Sequence, residues 1–85
     1  MRKENPELGE KFKEVIRNQM KDNDPTITNE TFKRLLKEGN DENEAIRLMA
    51  CVISAEIYDM MKEERVFDED KYEKMMKKLP KMPWE

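Results

Sequence analysis

The sequence predicts an all-α protein of about four helices packed around one long central helix, at roughly residues 41–62. Charged residues make up 44% of the chain, and the apolar residues cluster at spacings of three and four, as amphipathic helices require. The two glycines and the scarcity of β-branched runs disfavour a sheet. Because 85 residues support one modest core, we expect a single domain over 1–85 with flexible tails at 1–4 and 81–85.

The first predicted helix begins at Asn5-Pro6, with Asn5 as the N-cap and Pro6 at the first helical position. It ends before Pro25, because the preceding Asn and Asp residues favour a turn. Its predicted buried stripe consists of Leu8, Phe12, Val15, Ile16, Gln19 and Met20.

A short second helix is predicted to follow Thr28 as its N-cap, with Ile27 packing on Phe32 as a hydrophobic staple. Gly39 suits the C′ position that ends this helix, since glycine adopts the left-handed conformation at little cost. Its buried side is completed by Leu35 and Leu36.

The central helix begins with Asp41-x-x-Glu44, which has the form of a capping box. It is not a membrane span, because Arg47, Glu56 and Asp59 interrupt its apolar residues. Its surface is apolar round most of its girth, so we expect other helices or a second copy to cover it. The predicted stripe contains Ala45, Ile46, Met49, Val52, Ile53, Ile57 and Met60, widened by Leu48, Ala50, Cys51, Ala55, Tyr58 and Met61.

The fourth helix is predicted to begin after Asp68 as its N-cap, with Phe67 and Tyr72 forming another staple. Pro80 ends it, because proline cannot continue the hydrogen-bond ladder. Its predicted buried residues are Tyr72, Met75, Met76 and Leu79.

Several kinds of chemistry are disfavoured. The chain has no His, which removes the commonest general base and metal ligand. Its only cysteine, Cys51, lies among apolar residues, so we expect an inert core thiol and a reducing, cytoplasmic location. Asp22-x-Asp24 departs from a calcium loop, because the sixth position is Ile27 and the twelfth is Lys33. We therefore predict a protein that is not an enzyme and has no cofactor and no metal.

Glu56 is an acidic residue within the apolar stripe of the central helix. Burial of an unpaired carboxylate is unfavourable by several kcal/mol. Two arrangements are therefore open: a buried Glu56 paired with Arg17 or Lys71, or a Glu56 at the edge of the stripe near water.

Methionine is abundant, with eight residues, and Met-rich surfaces are typical of proteins that bind varied partners. The alternative is that Met fills gaps in a small core. We predict a helix-packing surface that binds a second copy, giving a homodimer, or another protein. Its candidate residues are Ile57, Tyr58, Met60, Met61, Met75, Met76 and Trp84.

A basic stripe on the last helix suggests an alternative function in binding anions or nucleic acid. The same lysines also fit a solvated face that favours the helix C-terminus. Binding of DNA is disfavoured, because the central helix begins with Asp41, Glu42 and Glu44, which phosphates would repel. The lysines of the stripe are Lys71, Lys74, Lys78 and Lys81.

Five short elements occur in order along the chain: Asn5-Pro6, Ile16-Arg17-Asn18-Gln19, Asn43-Glu44-Ala45, Cys51-x4-Glu56-x-Tyr58, and Asp70-x-Tyr72 with Leu79. Together they resemble a family of small uncharacterised bacterial helical proteins, a domain of unknown function, over about residues 5–79. Its members often carry histidines in the first helix and at the start of the long helix, whereas this chain has none. The resemblance therefore implies a helical domain and implies neither a metal site nor a function.

Overall fold

The computed structural model describes residues 6–84, and the side chains of residues 9–84. Four helices follow one another: α1 (Pro6–Asp22), α2 (Thr26–Lys37), α3 (Glu42–Glu63) and α4 (Glu69–Lys78). Residues 6–84 contain no strand, and the predicted all-α class is confirmed. The predicted tail at 1–4, the cap at Asn5 and the burial of Leu8 lie outside what is described.

The long helix α3 is the centre of the fold, as predicted. The helices α1, α2 and α4 all pack against it, and α2 also contacts α1 and α4. Half-buried side chains such as Phe12, Phe32 and Met75 pack around the edge of the core. The buried hydrophobic core comprises Ile16, Ile27, Leu35, Ala45, Ile46, Leu48, Met49, Ala50, Val52, Ile53, Tyr72, Met76 and Leu79.

Two carboxylates cap helix N-termini as predicted. The Asp41 side chain accepts a hydrogen bond from the Glu44 N–H at 2.8 Å, at the start of α3. The Asp68 side chain accepts from the Lys71 N–H at 3.1 Å, at the start of α4. Each cap satisfies a backbone donor that has no partner within its helix and places a negative charge at the positive end of the helix dipole.

The prediction that Thr28 caps α2 is wrong. The helix begins two residues earlier, at Thr26, after the extended residue Pro25. The Pro25 carbonyl already accepts from the Thr28 N–H at 3.2 Å. The Thr28 hydroxyl is buried instead and donates to the Gln19 side chain on α1 at 2.7 Å, so it serves the contact between two helices rather than a helix end.

Gly39 ends α2 at the predicted position, with φ +104°. Its N–H donates to the Leu36 carbonyl at 3.1 Å, and the Asn40 N–H donates to the Leu35 carbonyl at 3.0 Å. This pair of bonds is the Schellman motif, which turns the chain sharply out of a helix. The chain can therefore reverse into α3 within a few residues.

Glu64 makes the corresponding turn after α3 without being glycine, at φ 50° and ψ 50°. An L residue in this left-handed conformation crowds its own Cβ, which glycine avoids. We expect Glu64→Gly to raise the free energy of unfolding by about 0.5–1 kcal/mol, which is the strain relieved less the backbone entropy that glycine loses on folding. Urea denaturation measures the change. Glu64→Ala is the matched control, because it removes the charge and keeps the Cβ. An equal gain from the alanine variant would show that charge, rather than backbone strain, is responsible.

Candidate functional site

One side of α3 is exposed or half-buried along the helix, whereas the fully buried residues of α3 lie on the opposite side, against the other three helices. We call this side the outer face of α3. At 3.6 residues per turn its residues fall within an arc of about 100°. Tyr58 and Met61 are its most exposed apolar residues, at 65% and 75%. The outer face consists of Glu44, Arg47, Cys51, Ser54, Tyr58, Met61 and Lys62.

The structure divides the seven predicted interface residues into three groups. Met76 is completely buried, because it lies one helical turn after Tyr72 on the core side of α4. It therefore takes no part in an exposed interface. Half-buried positions are Ile57, Met60 and Met75. Exposed positions are Tyr58, Met61 and Trp84.

The turn after α3 extends the exposed apolar surface. Val66 is 83% exposed, and Phe67 is exposed at its edge while its ring packs on Tyr72, with 5.1 Å between the ring centroids. The Phe67–Tyr72 contact confirms the predicted staple at the start of α4. Val66 was missed by the sequence prediction, which looked only for helical spacing. The available signal was the apolar pair Val66-Phe67 between the charged residues Arg65 and Asp68, outside any helix.

Cys51 is half-buried on the outer face, so its expected place inside the core is wrong. It lies two helical turns before Tyr58 and points to the same side of α3. The neighbouring Ala50 and Val52 are buried, and this apolar flank suggested burial. Ser54 lies beside Cys51 and donates its hydroxyl proton to the Cys51 carbonyl at 2.8 Å. Two small side chains therefore occupy the middle of the outer face.

Glu56 lies on the opposite side of α3 and is completely buried. Its carboxylate accepts two hydrogen bonds from the Arg65 guanidinium, at 2.8 and 3.1 Å. A third comes from the Asp68 N–H at 3.0 Å. The buried arrangement is thus observed, but the partner is Arg65 rather than Arg17 or Lys71. This clamp holds the turn between α3 and α4 against the side of α3.

Burial and hydrogen bonding act on the Glu56 pKa in opposite directions. Removal of the carboxylate from water raises its pKa, whereas the hydrogen bonds from Arg65 and from the Asp68 N–H lower it. The net pKa lies below its ordinary value of 4.5. Glu56 is therefore an ionised structural anchor at neutral pH and is unsuited to act as a general acid there.

The lysine stripe of α4 is partly neutralised by neighbouring carboxylates. The Lys71 ammonium lies 2.7 Å from Asp59, and this hydrogen bond raises the Lys71 pKa. Lys77, beside the stripe, pairs with Glu73 at 3.1 Å. The remaining stripe residues are exposed: Lys74, Lys78 and Lys81. Anion binding through the stripe stays a prediction, with Lys71 engaged by Asp59.

A buried polar network joins α1, α2 and α4. The Tyr72 hydroxyl donates to the Gln19 side-chain oxygen at 2.8 Å, and the Thr28 hydroxyl donates to the same oxygen at 2.7 Å. Withdrawal of Tyr72 from water raises its pKa to about 12, against the opposing effect of its hydrogen bonds to Thr28 and Gln19. The phenol is therefore neutral under physiological conditions, and the network positions helices rather than activating a nucleophile.

Arg34 ties the end of α4 to α2, a role that the sequence did not suggest. Its guanidinium donates to the Leu79 carbonyl at 2.9 Å and to the Met76 carbonyl at 3.0 Å, and it pairs with Glu38. These carbonyls lie at the C-terminal end of α4, where backbone acceptors lack a full set of partners within the helix. The arginine supplies hydrogen-bond donors to them, and its positive charge complements the helix dipole. The only sequence signal for this role was the presence of a basic residue, Arg34, on another helix.

Within residues 6–84, no cluster of three or more His, Cys, Asp or Glu side chains is arranged to hold a metal ion. None of the four helices combines the length and apolar character needed to cross a bilayer. Comparison with models of known protein families, with curated proteins and with solved structures gives no match for this chain. The resemblance to the small bacterial helical family therefore stays a prediction.

Proposed function

We propose that this protein is a small non-enzymatic interaction module that binds a second copy of itself through the outer face of α3. The observation that carries the proposal is the exposure of Tyr58 and Met61 on that face, continued by Val66 in the adjoining turn. Four of the five large hydrophobic side chains exposed in residues 9–84 lie between positions 58 and 67. Clustered apolar exposure of this kind is typical of protein–protein contact sites.

The energetics favour burial of this surface in a contact with another chain. Complete burial of a Met or similar side chain contributes about 1.5–3 kcal/mol. In a two-fold symmetric dimer each copy presents the same residues, so Tyr58 and Met61 are each buried twice. Much of this gain is offset by the loss of translational and rotational freedom. We therefore expect a reversible dimer with a dissociation constant in the micromolar range.

Exposed residues of the outer face can be substituted without disturbing the packing of the core. Met61 is 75% exposed, so glutamate at this position lies in water in the monomer and is removed from water in the dimer. We expect Met61→Glu to weaken self-association at least about tenfold, equivalent to about 1.4 kcal/mol. Light scattering coupled to size-exclusion chromatography, over a range of loading concentrations, measures the effect.

The matched control is Asn18→Glu, which adds the same charge at an exposed position of α1. It should associate as the wild type does. Circular dichroism should show the same helix content for all variants, since none replaces a core residue. Equal association of Met61→Glu and the wild type would overturn the proposal.

A further inference from the structure

We infer that the two copies pair with their α3 helices antiparallel, crossing beside Cys51 and Ser54. This inference rests on the proposed function and adds to it the orientation of the partner. It derives from the chemistry of the side chains along the outer face, whose positions from Glu44 to Met61 are spaced symmetrically about a point between Val52 and Ile53. Cys51 and Ser54 flank that point, and both are half-buried.

Larger residues lie at matched distances on either side of the small pair. At about 1.5 Å per residue, Arg47 and Tyr58 each lie about 8 Å from the midpoint, in opposite directions. Glu44 and Met61 each lie about 13 Å from it. A two-fold axis through the midpoint therefore brings each member of a pair opposite the other member on the partner subunit.

The antiparallel arrangement makes complementary contacts at two places on the outer face. The Arg47 guanidinium comes to lie against the ring of Tyr58 of the partner subunit, and arginine over an aromatic face is attractive. Glu44 comes close to Lys62 of the partner subunit, which pairs opposite charges. Small side chains at the crossing point let the helix axes approach to about 8 Å, at the short end of the observed range.

A parallel arrangement brings Tyr58 and Met61 against their own copies but lacks both complementary contacts. It would place Arg47 against its own copy and Glu44 against its own copy, so that like charges face each other across the interface. It would also align the two helix dipoles in the same direction. The ion pair of Arg47 with Glu44 within each chain, at 2.7 Å, is compatible with either orientation. The antiparallel orientation adds Tyr58 and Lys62 of the partner subunit to this pair, whereas the parallel orientation adds only like charges.

Cross-linking between two single-cysteine variants tests the orientation. Because Cys51 is the only cysteine, Cys51→Ser gives a background without thiols. One variant on this background carries Glu44→Cys and the other carries Lys62→Cys. In an antiparallel dimer these two positions face each other, whereas in a parallel dimer they lie about 27 Å apart. The variants, tagged to differ in mass, are mixed in equal amounts and treated with a short bismaleimide.

We expect the mixed product to exceed both products of identical copies. A majority of identical-copy products would overturn the antiparallel orientation and leave self-association intact. Lys33→Cys on α2, an exposed position away from the outer face, mixed with Lys62→Cys, gives the level of random collision. A mixed product no greater than this level, in a sample that sedimentation shows to be dimeric, would overturn the orientation and place the contact elsewhere. A monomer in sedimentation of the Cys51→Ser protein and of the wild type would overturn the proposed function itself.

Discussion

Tyr72→Ala is expected to lower the free energy of unfolding by about 3–5 kcal/mol, the loss typical of deleting a buried aromatic side chain. The Tyr72 ring is completely buried between α4 and the rest of the core. Its hydroxyl also donates to Gln19 at 2.8 Å. The substitution therefore leaves a cavity and removes the hydrogen bond that joins α4 to α1. For a chain of this size such a loss approaches the whole stability of the fold.

The matched control is Tyr58→Ala, which deletes the same side chain from the outer face. Tyr58 is 65% exposed, so we expect less than about 0.5 kcal/mol of change in the stability of the monomer. Urea denaturation followed by circular dichroism, at a concentration low enough to keep the protein monomeric, measures both variants. Similar losses for the two tyrosines would contradict the assignment of Tyr72 to the core and Tyr58 to the surface.

Glu56→Gln is expected to lower the free energy of unfolding by about 1.5–3 kcal/mol, the range for loss of a hydrogen bond to a charged group. The amide keeps the shape of the carboxylate, but its NH₂ group faces an N–H donor of Arg65 at either oxygen position. Glu63→Gln is the matched control, because Glu63 also binds Arg65 and is exposed. Exposed ion pairs contribute little, so we expect a change below about 0.5 kcal/mol. Equal losses of stability for Glu56→Gln and Glu63→Gln would mean that the burial of Glu56 does not strengthen its interaction with Arg65.

The wild type and Glu56→Gln, compared over a range of pH, give a second test of the Glu56–Arg65 ion pair. The Glu56 pKa in the folded protein lies below its ordinary value of 4.5, so the unfolded chain binds a proton more readily. The stabilisation from Glu56 is then fully present above that ordinary value and is lost as the pH falls through the folded pKa. We expect the stability difference between wild type and Glu56→Gln to be constant from about pH 7 to pH 5 and to shrink below about pH 4.5. A difference that grew on acidification would contradict the ion pair.

Local signals in the sequence were sufficient to predict most of the fold. The caps at Asp41 and Asp68, the terminator Gly39 and the long central helix α3 follow from short-range features, and all four were predicted correctly. The predicted start of α2 is wrong, because Thr28 is a suitable residue type for an N-cap but its buried hydroxyl donates to Gln19 on α1. The tendency of a residue to cap a helix can be deduced from its neighbours in the chain, whereas the role of a buried polar group depends on how the helices pack.

The candidate site was predicted less well for the same reason. An apolar residue on a helix that is apolar nearly all round does not reveal which side the other helices cover. Met76 and Met61 have similar local sequence, yet one is completely buried and the other is 75% exposed. The Arg65 partner of Glu56 was also missed, because it comes from the turn beyond the helix. The sequence signal for this ion pair was an arginine two residues after the end of α3, where the chain folds back.

Sedimentation equilibrium of the wild-type protein over a wide concentration range tests self-association through the outer face of α3. We expect an apparent mass that rises from that of the 10.3 kDa chain toward twice that value, and that rises only at higher concentrations for Met61→Glu. A wild-type mass that remained at the monomer value at every concentration would rule out self-association.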